Sequence, residues 1–209
     1  MIGVPNWPIL ISLLFLVQPY DTLHTVGQVD SRNSPLRPPQ PALPQTLPEW
    51  LLEFGAAAAL LSQFLIVLSF WPDIPDRVPQ HFDAAGQADD WGAKSTLLLL
   101  PAVNLVVFIM MTVVSRFPHI SSLPVEVTAV NARRVYRLVR FQTIWLKAIV
   151  AFVLTYMSWR MIEQARGGAQ GLGIGFLPLT TLAVGSAIGW FYFELRRHTG
   201  SVEEARLTQ

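Results

Sequence analysis

The chain has 209 residues, of which 52% are hydrophobic and 14% charged, and its mean hydropathy of +0.40 is too apolar for an ordinary soluble surface. Its 15 Lys and Arg against 14 Asp and Glu give a net charge of +1, which leaves no footprint for nucleic acid and excludes that class of partner. The absence of cysteine removes disulfides, thiolate metal sites and cysteine nucleophiles, so only histidine and carboxylate chemistry remains.

In chain order, Trp7 to Val17 is an apolar run too short to span a bilayer; a signal core, an interfacial segment and an extra span all stay open as readings. Six prolines from Pro35 to Pro48 favour an extended, solvated linker. Residues 1–48 are therefore expected to form a Pro-rich, largely disordered extension. Four stretches then suffice to cross a hydrocarbon core: Leu51 to Trp71, Ser95 to Val114, Phe141 to Ile162 and Gly171 to Phe193. Runs this apolar, without strand alternation, satisfy their backbone in lipid only as helices. The predicted class is an all-α integral membrane protein: a four-helix bundle over 49–197, with a structured loop between helices 1 and 2 and a cytoplasmic tail over 198–209.

Orientation follows the Lys and Arg, which accumulate in cytoplasmic loops. Ten of them (Arg32, Arg37, Arg116, Arg133, Arg134, Arg137, Arg140, Arg196, Arg197 and Arg206) fall on one side. Arg77, Lys94, Arg160 and Arg166 fall on the other. Both termini are expected inside, and the loop Pro72 to Lys94, with its five aspartates, outside.

Within the spans Glu53, Gln63, Asn104 and Lys147 stand out, because ionisable and polar groups in lipid are costly. Glu53 and Lys147 fall near the same side and are expected either to pair or to let the lysine snorkel. Asn104 is expected to bond a neighbouring helix. Arg133, Arg134, Arg137 and Arg140 recur at helical spacing as the basic face of an amphipathic helix capped by Thr128, among lipid headgroups. Gly171, Gly173 and Gly175 read as a loose helix entrance. Thr181, Gly185 and Gly189 lie four apart as a seam for close helix packing, within the chain or in a homodimer.

The outer loop is more organised than a connector needs. Pro72, Pro75 and Pro79 hold its entry extended, Gly86 permits a tight turn, and Trp91 and Lys94 suit a membrane interface. In an extended chain His81 and Asp83 share a face. His81, Asp83, Asp89 and Asp90 would suffice for a divalent metal, but loop crosslinks, Asx turns and caps are the preferred reading, so no metal and no cofactor is expected. Arg77 and Lys94 are expected to pair with the aspartates. No nucleophile or zinc-protease motif is present, so the chain is not expected to be an enzyme.

The spacing of Pro75, Pro79, His81, Phe82, Gly86, Asp89 or Asp90, Trp91 and Lys94 closely resembles the SdpI-like membrane family that carries domain of unknown function 1648 (DUF1648). The likeness continues through Leu100-Pro101, Arg116 to His119, Pro124 to Thr128, Asn131-Ala132, Tyr136-Arg137 and Trp145 to Lys147. Family members often carry Asn where this chain has Asp83. The resemblance implies a bacterial inner-membrane protein that senses, or gives immunity to, an extracytoplasmic agent such as a peptide toxin. Its binding surface would comprise Pro79, His81, Phe82, Asp83, Gly86, Asp89, Asp90, Trp91 and Lys94, with a peptide or a membrane protein as partner. The alternative is a small transporter or accessory subunit with Glu53, Asn104 and Lys147 along its path.

Overall fold

A computed structural model of the chain describes residues 44–118, 127, 131–168 and 171–207, with side chains as far as Arg197. The Trp7 to Val17 run, the prolines from Pro35 to Pro41, His119, the Pro124 region and Thr128 lie outside the described residues.

Helix α1 (Leu47–Phe70) starts four residues earlier than expected, inside the stretch read as linker. Thr46 is its extended N-cap, Pro48 occupies the first turn, and the Glu49 carboxylate accepts the Thr46 backbone N–H at 2.6 Å and its hydroxyl at 2.9 Å. Proline costs nothing in a first turn, where its missing N–H has no helical partner. The reach of Glu49 back to the cap is half of a capping box. A single 3-10 turn, Trp71–Asp73, closes the helix at Pro72.

The expected structured loop is a β-hairpin. Strand β1 (Arg77–Phe82) pairs antiparallel with β2 (Ala88–Ala93), in a register running from Arg77 opposite Ala93 to Phe82 opposite Ala88, with an irregularity at His81. Pro79 is tolerated because both strands of a two-stranded sheet are edges. A 3-10 segment, Lys94–Leu98, then leads into α2 (Leu99–Arg116).

Helix α3 (Ala132–Ala165) is continuous over 34 residues, about 51 Å at 1.5 Å per residue. The separate amphipathic helix and the third span are thus one element, because no Gly or Pro interrupts Ala132 to Ala165. Helix α4 (Phe176–Leu207) starts five residues later than expected, since Gly171 and Gly173 take left-handed φ values of 65° and 88° that a helix cannot hold.

α3 is the central element and packs on α1, α2 and α4. Buried Ala56, Ala59, Ala148 and Ala151 let α1 and α3 approach closely. Val67, Ile74, Val78, Leu97, Met161 and Ile162 form a core under the hairpin. Val135, Val139 and Leu195 join α3 to α4 at the opposite end, where the rings of Phe141, Trp145 and Trp190 also meet at 5.5 to 5.9 Å. Leu51, Phe54, Leu61, Leu65 and Leu68 of α1 and Val106, Ile109 and Val113 of α2 point outward, a surface suited to lipid. The described residues include four helices long and apolar enough to cross a membrane, so the chain is a mostly all-α membrane protein with a small two-stranded sheet.

Candidate functional site

The hairpin is fixed to the bundle at both ends. At its base the Lys94 ammonium donates to the Trp71 and Ile74 carbonyls, the latter at 2.9 Å, and lies 4.8 Å from the Trp71 ring centroid. It therefore satisfies carbonyls left open where α1 ends, at the negative end of the helix dipole. Arg77 donates to the Trp91 carbonyl across the strands at 2.8 Å. Neither cation pairs with an aspartate as expected, because backbone carbonyls lie closer at hand.

At the tip Asp83 Oδ1 accepts the N–H groups of Ala85 at 2.9 Å and Gln87 at 2.8 Å, and the Asp83 N–H donates to the Gln87 carbonyl at 2.8 Å. Only an acceptor oxygen is needed, so an Asn carbonyl would serve there as well. Gly86, at φ 77°, presents its carbonyl to the Leu172 N–H at 2.7 Å in the α3–α4 connection. A Cβ on Gly171 would stand 1.9 Å from that carbonyl oxygen. Arg160 holds the Gly171 carbonyl through Nε at 2.9 Å and a terminal nitrogen at 2.6 Å, and the Tyr156 hydroxyl donates to the Leu172 carbonyl at 2.8 Å. Gly171 and Gly173, two of the three glycines read as a loose entrance, are the seat of the hairpin tip. Arg160, Tyr156 and Leu172 were missed because Leu172 bonds Gly86, far away in sequence, and the other two hold the Gly171 and Leu172 carbonyls of that same seat.

These anchors divide the nine loop residues expected to bind. Pro79 and Gly86 are buried, Phe82 packs against the core, Asp83 shapes the turn and Lys94 faces the α1 terminus. His81, Asp89, Asp90 and Trp91 are exposed. His81 Nδ1 lies 2.6 Å from Asp89 Oδ1, whereas Asp83, its expected face-mate, is turned into the loop. Asp90 accepts the Trp91 N–H at 2.8 Å. Beside the hairpin base, Pro72, Asp73, Ile74, Pro75, Ala165 and Arg166 line an open depression of about 690 Å³. Among the described residues no three His, Asp or Glu converge as a metal site would require.

Inside the bundle the polar residues bond one another. Lys147 Nζ, 1% exposed, donates to Glu53 Oε2 at 2.5 Å and to the Thr112 hydroxyl at 3.0 Å. Gln63 donates to Ser158 Oγ at 2.8 Å and the Leu154 carbonyl at 3.1 Å, and Asn104 donates to Gln63 Oε1 at 2.5 Å. Asn104 Oδ1 has no hydrogen-bond partner among the described residues. Arg140 is a correction: it is not among headgroups but buried, donating to both Glu49 oxygens at 2.8 and 3.0 Å and to the Pro44 carbonyl at 3.0 Å. The pairs Glu49–Arg140, Glu53–Lys147 and Gln63–Ser158 are separated by 91, 94 and 95 residues. That nearly constant offset is the signature of two parallel helices, and it would have found Glu49 and Ser158. Thr181, Gly185 and Gly189 are exposed, with open space above both glycines, so the small-residue seam is not used within the described chain.

Among the described residues, fold and site define a membrane protein of four long apolar helices with an anchored hairpin between α1 and α2. Residues 58–105, from the middle of α1 through the hairpin into α2, match the family model described as domain of unknown function DUF1648. The chain is also 34% identical over 76 residues to an uncharacterized protein of Archaeoglobus fulgidus, a match covering 32% of this chain and 40% of that protein. It thus spans about two fifths of the length of that relative. No solved structure matches. The DUF1648 part of the expected resemblance holds, and neither match carries the SdpI-like name.

Proposed function

We propose that the chain is a non-enzymatic recognition protein whose hairpin, held outside the cytoplasm, senses or gives immunity to an extracytoplasmic agent such as a peptide toxin. The observation that carries this reading is the division of labour within the hairpin. Lys94 and Gly86 clamp its base and tip, while His81, Asp89, Asp90 and Trp91 stand on the side that packing does not use. A preorganised surface of this kind binds without the entropy loss of ordering a free loop, and an exposed tryptophan beside carboxylates is a suitable anchor.

Transport or an accessory role in a membrane complex is the competing reading. It is less favoured because Gln63, Asn104 and Lys147 are 0 to 1% exposed and bond other residues of the bundle, which leaves them poorly placed along a hydrated route. The test is a toxin-challenge or reporter assay of cells carrying His81→Ala, Asp89→Ala or Trp91→Ala, with membrane abundance measured alongside. The reading predicts lost protection or signalling at parental abundance. Full activity in all three variants contradicts it, and substrate flux in proteoliposomes would favour transport.

A further inference from the structure

We propose that the end of the bundle opposite the hairpin is a docking surface for the phosphates of anionic lipid headgroups. Three contacts bring the helix ends there into one slab. The Arg140 to Glu49 bond sets Leu47, where α1 begins, level with Leu138 of α3. Lys147 bonds Thr112 near the end of α2, and Leu195 of α4 packs on Val135 and Val139. Arg116, Arg133, Arg134, Arg137, Arg196 and Arg197 are all exposed in this slab. The carboxylates described there are Glu49 and Glu53, both occupied by internal partners, and Glu194, 4.0 Å from Arg197. The described side chains leave this end strongly positive.

Height along the bundle selects the partner. Trp50, Trp190 and Tyr192 are exposed, and the contact of Trp190 with Trp145 sets the aromatic level just inside the arginines. Aromatic girdle first and cations beyond it is the order of residues across a membrane interface. Arg133 and Arg134 stand about 6 to 8 Å beyond Leu138 at the helical rise, which is the depth of a headgroup layer. Guanidinium groups at that depth meet lipid phosphates, which they bind bidentately, before they meet any soluble acidic partner.

The test uses the purified full chain, equilibrated in vesicles of phosphatidylglycerol and phosphatidylcholine, with the retained lipid identified by native mass spectrometry. Phosphatidylglycerol should be enriched over its share in the vesicle, and added inorganic phosphate should not displace it. Replacing Arg133, Arg134 and Arg137 together by Gln should lower the preference by at least about tenfold, whereas Arg166→Gln at the hairpin end should leave it unchanged. If the triple variant does not fold, Arg116→Gln combined with Arg197→Gln should lower the preference through two other helices. Retained lipid that mirrors the vesicle, a preference untouched by these substitutions, or displacement by inorganic phosphate overturns the proposal.

Discussion

Buried charge sets which single substitutions the bundle tolerates. Glu49 and Arg140 are 1% and 7% exposed and satisfy each other with two bonds. Removing one partner leaves the other a buried charge without its counter-charge, at a cost of about 3 to 5 kcal/mol. Glu49→Ala and Arg140→Ala should each destabilise the chain by that order in detergent unfolding, and the double replacement Glu49→Leu with Arg140→Leu should recover most of the loss. Additive losses would contradict a direct pair. Asn104→Ala should cost less, about 0.6 to 1.7 kcal/mol, the range for hydrogen bonds between membrane helices. Glu53 and Lys147 were legible because each is an isolated charge in an apolar run. Glu49 and Arg140 were not, because each sits at a boundary where solvent or headgroups explain a charge equally well. Only the parallel register of α1 and α3 brings them together.

Within the elements, the hairpin depends on two contacts remote in sequence. In Gly171→Ala the new methyl would collide with the Gly86 carbonyl, at a position whose φ of 65° already disfavours a side chain. The tip should lift, and the Leu172 amide, bonded to Gly86 at 2.7 Å, should exchange its hydrogen at least about tenfold faster, the response to losing a local opening energy of about 1.4 kcal/mol or more. Lys94→Gln should speed exchange in β1 and β2 by loosening the base. Unchanged protection in both variants would mean that the hairpin holds itself. Prolines and Gly86 marked this segment as organised, but strand pairing was not readable from a six-residue stretch containing Pro79 and a register irregularity. Likewise Ala132 to Ala165 was divided at the end of its apolar run, although helix continuity is set by backbone hydrogen bonding and ends only at a breaker or cap.

For the whole molecule, four apolar helices were the most legible feature, since length and hydropathy alone decide whether a helix suits lipid. The order of charge along the bundle was legible too. Aspartates Asp73, Asp76, Asp89 and Asp90 are exposed at the hairpin end, and Arg116, Arg133, Arg134, Arg137, Arg196 and Arg197 at the other. What composition leaves open is how α4 sits, because its outward glycines fit lipid and a second helix equally well. The recognition proposal depends on the hairpin facing away from the cytoplasm. Cysteine introduced at Ala85, exposed in the hairpin turn, and separately at Arg134, is probed with a membrane-impermeant maleimide in intact and permeabilised cells. Labelling of Ala85→Cys in intact cells, with Arg134→Cys labelled only after permeabilisation, is the predicted result; the reverse pattern contradicts the account.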